Sequence, residues 1–395
     1  MDSFDLKTLQ AGQIFTPGSP VNERDLFAGR IDQLRRIFEA VTQRGYHAVL
    51  YGDRGVGKTS LANILMATFG DNFVIAKVNC DANDTFSKVW HKAFRDIHFS
   101  QVQMGIGFNA SQTTSEVAVS ETLPLVIQPD DVRRSLKTIS AEKPALIILD
   151  EFDRITDKNV SVMVSDTIKA LSDFGISASV LVIGVADSID QLISGHLSIE
   201  RALVQIHMPR MSIDEISQIL EKGMTRLDMQ MDGSAAALLQ SLSQGLPYIA
   251  HLLALHSTRA ALAARSLTVT LDHANAGVVS SLEQWQESTK TAYYDAVKSQ
   301  QPGAIYREVL LACAMAEVDD LGFFSAAAVR LPLSNIAGRT LDIPNFSRHL
   351  KEFSESGRGK IIKRVGAARR LRYRFASPLM RPYVIMRGYS EKLIA

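Results

Sequence analysis

The sequence predicts an α/β protein: a parallel sheet covered by helices, then an all-helical segment, then a basic C-terminal module. Three observations carry that expectation. Short apolar runs alternate with helix-period segments from residue 31 to residue 184. A glycine-rich turn joins the first apolar run to a helix. After about residue 210 the strand signal fades, and it returns only in a basic pair of runs near the C-terminus.

The elements follow in order. Residues 1–28 read as irregular, with Pro17, Gly18 and Pro20 as breakers. Ile31–Gln43 reads as a helix, because Ile31, Leu34, Ile37, Phe38 and Val41 share one face. His47–Tyr51 is a strand, and a helix starts at Lys58. Phe73–Val78 is the next strand and Thr85–His98 a helix. Residues 99–122, rich in Gly, Ser, Thr and Val, read as an inserted hairpin or a loop. Asp130–Ile139 and Val160–Phe174 are helices. Ala145–Leu149 and Ser179–Gly184 are continuously apolar, the mark of strands buried on both faces. Ser212–Arg226, Ser234–Ser243, Tyr248–Arg265 and Asp272–Gln286 complete the helical segment.

Length and composition bound the function. A chain of 395 residues favours two or three domains. With 46% hydrophobic and 22% charged residues, it is not a mainly disordered, collagenous or disulfide-stapled chain. Cys80 and Cys313 are its two cysteines, which fits a reducing compartment. No apolar run approaches the length of a membrane span, and the N-terminus lacks a signal-peptide layout. The expectation is a cytoplasmic protein with no membrane partner. Net charge is +1, but residues 346–395 hold thirteen Lys/Arg against three Asp/Glu. Such segregation, interleaved with aromatics, points to a nucleic-acid contact or to a basic solvated surface.

Gly52-Asp53-Arg54-Gly55-Val56-Gly57-Lys58-Thr59 fits the spacing G-x-x-x-x-G-K-[ST] between a strand and a helix. Glycines let backbone amides approach phosphate oxygens, and the helix N-terminus adds partial positive charge. Ser60 follows in the same helical turn. Lys58 would bridge the outer phosphates of ATP, and Thr59 would offer its hydroxyl to Mg²⁺. Asp150 and Glu151 end the apolar strand 145–149, where open α/β sheets place their ligands. Asp150 would help hold Mg²⁺ and Glu151 would act as general base toward water. Asp153 and Arg154 follow them.

With Leu26-Phe27-Ala28-Gly29-Arg30 one helix upstream, these motifs resemble the AAA+ and STAND branches of P-loop ATPases. Origin-recognition/initiator-type AAA+ proteins and archaeal-type ATPases are similar in layout. The resemblance spans about residues 20–265 and implies a P-loop NTPase core with a helical lid. It implies that Phe27, Gly29 and Arg30 lie along the adenine. It implies a polar sensor at Asp187, followed by Ser188, after the strand ending at Gly184. Asn or Thr is commoner at that place in the family. Arg201 resembles an arginine finger donated to a neighbouring subunit, so the resemblance implies a homo-oligomer. Its bland alternative is a surface ion pair. Gly245-Leu246-Pro247 resembles the G-x-P segment of STAND ATPases, whose Pro247 would touch nucleotide from the lid. A helix cap followed by a first-turn proline explains the same residues.

The C-terminal module opens with helices at Ile305–Ala316 and Ile343–Phe353. The runs 360–365 and 370–375 alternate with the period of strands around a turn at 366–369, and a helix follows at 378–388. Helices closed by a basic hairpin look like a winged-helix domain. Arg348 and Lys351 would lie on its helix, and Lys363, Arg364, Arg369, Arg370 and Arg372 on the wing, as contacts to double-stranded DNA. Winged helices also dock proteins, so an unidentified protein partner stays open. The expected domains are 1–210 (ATPase core with N-terminal arm), 211–300 (lid) and 301–395 (winged helix). The expected activity is ATP hydrolysis by a switch acting on or recruited to DNA. The alternative is a STAND-like signalling or defence scaffold whose C-terminal module binds protein.

Overall fold

The computed structural model describes residues 2–20, 28–104, 112–185, 199–319, 321–367 and 370–394. Phe27, Asp187, Ser188 and Arg369 lie outside the described residues. The chain forms two compact units, one of residues 21–53 and 58–208, the other of 1–20, 54–57 and 209–395.

Helix α1 (Ser3–Ile14) opens the second unit and corrects the expected irregular arm. Asp2 accepts from the amides of Phe4 and Asp5, and Asp5 accepts from the Asp2 amide, so both ends of a capping box are made. The pattern hid this helix because Leu6 and Leu9 are exposed while Ala11 and Phe15 are buried. The breakers at 17–20 end the arm but do not extend back into it.

The first unit is built on a parallel five-stranded sheet. Helix α2 (Ile31–Thr42) leads into β1 (His47–Tyr51), α3 (Lys58–Phe69) and β2 (Val74–Asn79). Helix α4 (Phe86–Arg95) is capped by the Thr85 hydroxyl and stops short of His98. There β3 (His98–Met104) pairs antiparallel with β4 (Gln112–Ala118), so the insertion is a hairpin. Then come α5 (Pro129–Ile139), β5 (Ala145–Asp150), α6 (Lys158–Asp173), β6 (Ala178–Gly184) and β7 (Leu203–His207). The sheet order is β2-β5-β6-β1-β7. Edge strand β7 was not legible in the sequence, because exposed Gln205 and half-buried His207 interrupt its apolar run.

Both faces of the sheet are buried. Val49, Ile147, Leu149, Val180 and Val182 join a core with Trp90, Phe94, Val132, Leu136, Val164 and Ile168 of α4, α5 and α6. The intervening Leu50, Leu146, Ile148, Leu181 and Ile183 are as fully buried on the opposite face, where α2 and α3 pack.

One buried polar group sets a pH dependence. His47 is fully buried, and its Nδ1 accepts from the Val180 amide at 3.0 Å. Its proton is therefore on Nε2, 3.2 Å from the Ser172 hydroxyl. Burial pushes its pKa down to about 3. The unfolded residue titrates near about 6.5. The neutral ring's contribution is thus complete above that pH and is lost as pH falls toward 3. The loss approaches about 1.4 kcal/mol per pH unit. His251, which burial pushes to about 4, acts in the same sense. Stability should fall steeply between about pH 6 and 4, and His47→Asn should flatten that fall. Denaturant midpoints across this range check it; an unchanged slope in the variant removes His47 as the cause.

The second unit is mainly helical. Helices α7 (Ile213–Leu227), α8 (Gly233–Ser243), α9 (Pro247–Ala263) and α10 (Leu271–Glu283) form a bundle. A short parallel bridge joins β8 (Gln230–Met231) to β9 (Thr268–Val269). Helix α1 packs on α7 and α9, and the Thr16 amide donates to His251 Nδ1 at 3.3 Å. Helix α11 (Glu287–Val297) leads to α12 (Tyr306–Met315), β10 (Phe324–Ser325), α13 (Ala326–Ala337) and α14 (Ile343–Phe353). Helix α13 was not anticipated; its run is Ala-rich and carries Pro332 inside the helix. Strands β11 (Ile362–Val365) and β12 (Arg372–Phe375) join β10 in an antiparallel sheet of order β10-β12-β11, and α15 (Met380–Ser390) follows. Among the described residues, no helix is long and apolar enough to cross a membrane.

Candidate nucleotide site and basic face

The glycine-rich turn begins where β1 ends. Gly52 has φ 152°, and a Cβ there would lie 2.4 Å from the Met208 carbonyl oxygen. The Met208 amide in turn donates to Tyr51 O at 2.8 Å, so the end of β7 is laid against the start of the turn. A side chain at 52 would force them apart. The turn ends at Gly57 (φ 96°), directly before α3. Lys58 is buried, and its ammonium donates to Gly52 O at 2.9 Å and Asp53 O at 2.7 Å. Val56 is buried, Asp53 and Gly55 half-buried, and Arg54 exposed. Thr59 and Ser60 are half-buried in the first turn of α3. The first amides of such a helix have no intrahelical acceptor and suit an anion.

Asp150 is the last residue of β5 and is 2% exposed. Its Oδ1 accepts from the Glu151 amide at 2.9 Å. Its Oδ2 is buried without a hydrogen bond, yet lies 3.2 Å from the Lys77 ammonium as an ion pair. Glu151 is exposed and left-handed, with φ 55°. Non-glycine residues pay strain for that conformation, and such strain gathers at functional positions. Arg154 donates to Glu151 Oε2 at 2.7 Å. Asp153 accepts from the Val185 amide at 2.8 Å and so ties this turn to the end of β6. Because the sheet is parallel, β1 and β5 end at the same edge with β6 between them. Two strand spacings separate those ends by about 10 Å. Lys77, on β2 beside Asp150, was missed by the sequence reading; only its position in an otherwise apolar strand could have marked it.

The remaining candidates fall as follows. Gly29 and Arg30 both have φ 64°, and Arg30 is a buried residue at the N-terminus of α2. Arg201 is exposed in a single 3₁₀ turn, Glu200–Ala202, leading into β7. Pro247 is the first residue of α9, in the second unit. Gly245 has φ 71°, and a Cβ there would sit 2.5 Å from Met211 O. Gly245 O also accepts from the Met211 amide at 2.8 Å. The chain path alone therefore explains this glycine. Burial pushes the Cys80 thiol up to about 12, with Asp84 acting in the same sense, so it is no nucleophile.

On the C-terminal face, Lys363, Arg364 and Arg370 are exposed along β11 and the following turn. Arg372 pairs with Asp319, and its guanidinium lies 4.7 Å from the Phe323 ring centre. Arg348 donates to Glu352 at 2.6 Å, and Lys351 lies 3.9 Å from Glu355. Glu352 also accepts from the Tyr306 hydroxyl at 2.6 Å. Sequence spacing put these cations on the right elements but could not show that three of them already face carboxylates.

A parallel sheet of this order, with a glycine turn entering a helix after β1 and acids closing β5, defines a P-loop NTPase fold. Residues 27–183 match the family described as AAA ATPase domain. Over the full length the chain is similar to the Walker-type ATPase of Pyrococcus abyssi, at 13% identity and a TM-score of 0.53. That match covers 94% of this chain and 99% of the other. It is also similar to the Aeropyrum pernix ORC2 protein solved as ADPNP and ADP complexes, at 14% identity and a TM-score of 0.50. There the coverage is 96% and 98%. At these identities the likeness is one of fold. No curated protein sequence matches the chain.

Proposed function

We propose that this chain is an ATP-hydrolysing AAA+ switch that acts on duplex DNA. The observation that carries the reading is the convergence of the Gly52–Thr59 turn, with Lys58, and the Asp150–Glu151 pair at one edge of one parallel sheet. Lys58 and the α3 amides bind the phosphates. Thr59 and Asp150 hold Mg²⁺, whose fit is supported by the buried Asp150 Oδ2 that no hydrogen bond satisfies. Bound Mg²⁺ supplies charge neutralisation at the transferred phosphoryl group. Glu151 takes the proton of the attacking water once Arg154 releases it. Arg201 stabilises the phosphoryl group of a neighbouring subunit, and Gly29 and Arg30 border the nucleotide.

Residues 211–300 serve as the lid and 301–395 as a winged helix, since a helix, a short strand, two helices, a two-stranded hairpin that pairs with that strand, and a closing helix follow in that order. Lys363, Arg364 and Arg370 contact phosphates directly. Arg348, Lys351 and Arg372 exchange their carboxylate partners for phosphates. Neutralising Lys363, Arg364 and Arg370 together should weaken duplex binding for every sequence. It should also flatten the salt dependence by about 2–3 in log–log slope. Titrations at several salt concentrations check this.

The deciding experiment is steady-state ATP hydrolysis by the full chain, with and without duplex DNA, at low and moderate salt. Salt-sensitive stimulation is expected. Turnover indifferent to DNA would leave the C-terminal module as a protein dock.

A further inference from the structure

Lys77 lies on the face of β2 that carries it toward α3 and β5. Its ammonium donates to Asn63 Oδ1 at 2.7 Å and lies 3.2 Å from Asp150 Oδ2. Asp150 is buried and Lys77 largely so: their side chains are 3% and 13% exposed. Asn63 stands four residues after Thr59 on α3, so the two share one side of that helix. A fixed positive charge is therefore built between the α3 side that carries Thr59 and the carboxylate at the end of β5.

We propose that Lys77 is a positioning residue that holds the Asp150 carboxylate in place and competes with Mg²⁺ for it. The inference rests on the ATPase reading above. A buried carboxylate without a counter-charge is costly, and Lys77 supplies that charge within the fold itself. Asn63 anchors the ammonium from the other side, which limits how far it retreats. An incoming divalent cation meets a carboxylate already partly neutralised, with like charge nearby. The site thus trades Mg²⁺ affinity for a preformed geometry. Lys77 touches neither water nor phosphate in this scheme and acts only through Asp150.

The test uses the full chain and a fluorescent ATP analogue, with binding followed as Mg²⁺ is titrated. In Lys77→Gln the half-saturating Mg²⁺ concentration should fall about tenfold. Lys77→Arg keeps the charge and should stay within about twofold of the original. In an Asp150→Asn background, the Lys77→Gln shift should disappear, since the effect is carried by that carboxylate. Lys77→Met, which keeps the buried stem, replaces the Gln variant if that one does not fold. A Mg²⁺ dependence identical in wild type and Lys77→Gln overturns the role of Lys77 and leaves the ATPase reading standing. A wild-type chain that binds no nucleotide at any Mg²⁺ concentration overturns both.

Discussion

Glu151→Gln should lower ATP turnover by about 10²–10⁴-fold while leaving nucleotide affinity nearly unchanged. The reason is local. Glutamine keeps the shape of the side chain but cannot take a proton from water. The backbone is not asked to change, because the amide still donates to Asp150 Oδ1 and φ stays at 55°. Only the ion pair with Arg154 is lost, and both partners are about half exposed, so stability should move little. Rapid-quench hydrolysis beside equilibrium nucleotide binding separates the two effects. Parallel loss of binding and turnover would mean that Glu151 shapes the site instead of acting on water. Undiminished turnover would remove it from the chemistry.

Gly52→Ala should have the largest structural effect of any conservative change in the loop. The new methyl would meet the Met208 carbonyl at 2.4 Å, far inside contact distance, and that atom is backbone. The φ of 152° is also a conformation that alanine adopts only under strain. Relief requires the end of β7 to move away from β1, at the Met208 to Tyr51 hydrogen bond. The expected cost is about 1–3 kcal/mol of stability from the backbone alone. Nucleotide affinity should fall as well, because Lys58 hangs from Gly52 O and Asp53 O. Thermal unfolding and nucleotide titration read both. A fully stable variant with unaltered binding would show that the strand end yields freely.

Most of the fold is legible in the sequence, and the reason is physical. Strands β1, β5 and β6 are buried on both faces, so their sequences are continuously apolar and their limits fall where polarity resumes. The phosphate turn was legible because phosphate recognition demands glycine, lysine and threonine at fixed steps. What escaped was set by tertiary context. Helix α1 owes its position to partners more than 200 residues away, such as Leu227 O for Lys7. Strand β7 is paired on one side only, so its alternate residues stay polar. The sequence of the strand 73–78 does not show what Lys77 faces, and only the register of β2 on β5 brings it to Asp150. The charge excess of the basic tail is legible in the sequence, but its pairing with Glu352, Glu355 and Asp319 is not, since it depends on how the helices and the sheet fold.

The docking of α1 bears on how the chain acquires its structure during synthesis. Asp2 meets Arg265 at 2.8 Å, Lys7 meets Leu227 O, and Thr16 meets His251. The first helix therefore leaves the ribosome long before any of its partners exists. At about 5–20 residues per second, it waits roughly 13–50 s for Arg265. A short helix without tertiary contacts is marginal in water, so over that interval α1 remains largely unformed. The sheet is meanwhile free to assemble from residues 47–207 without it. Completion of the second unit is thus a late, long-range closure whose rate is set by chain topology rather than by local helix strength.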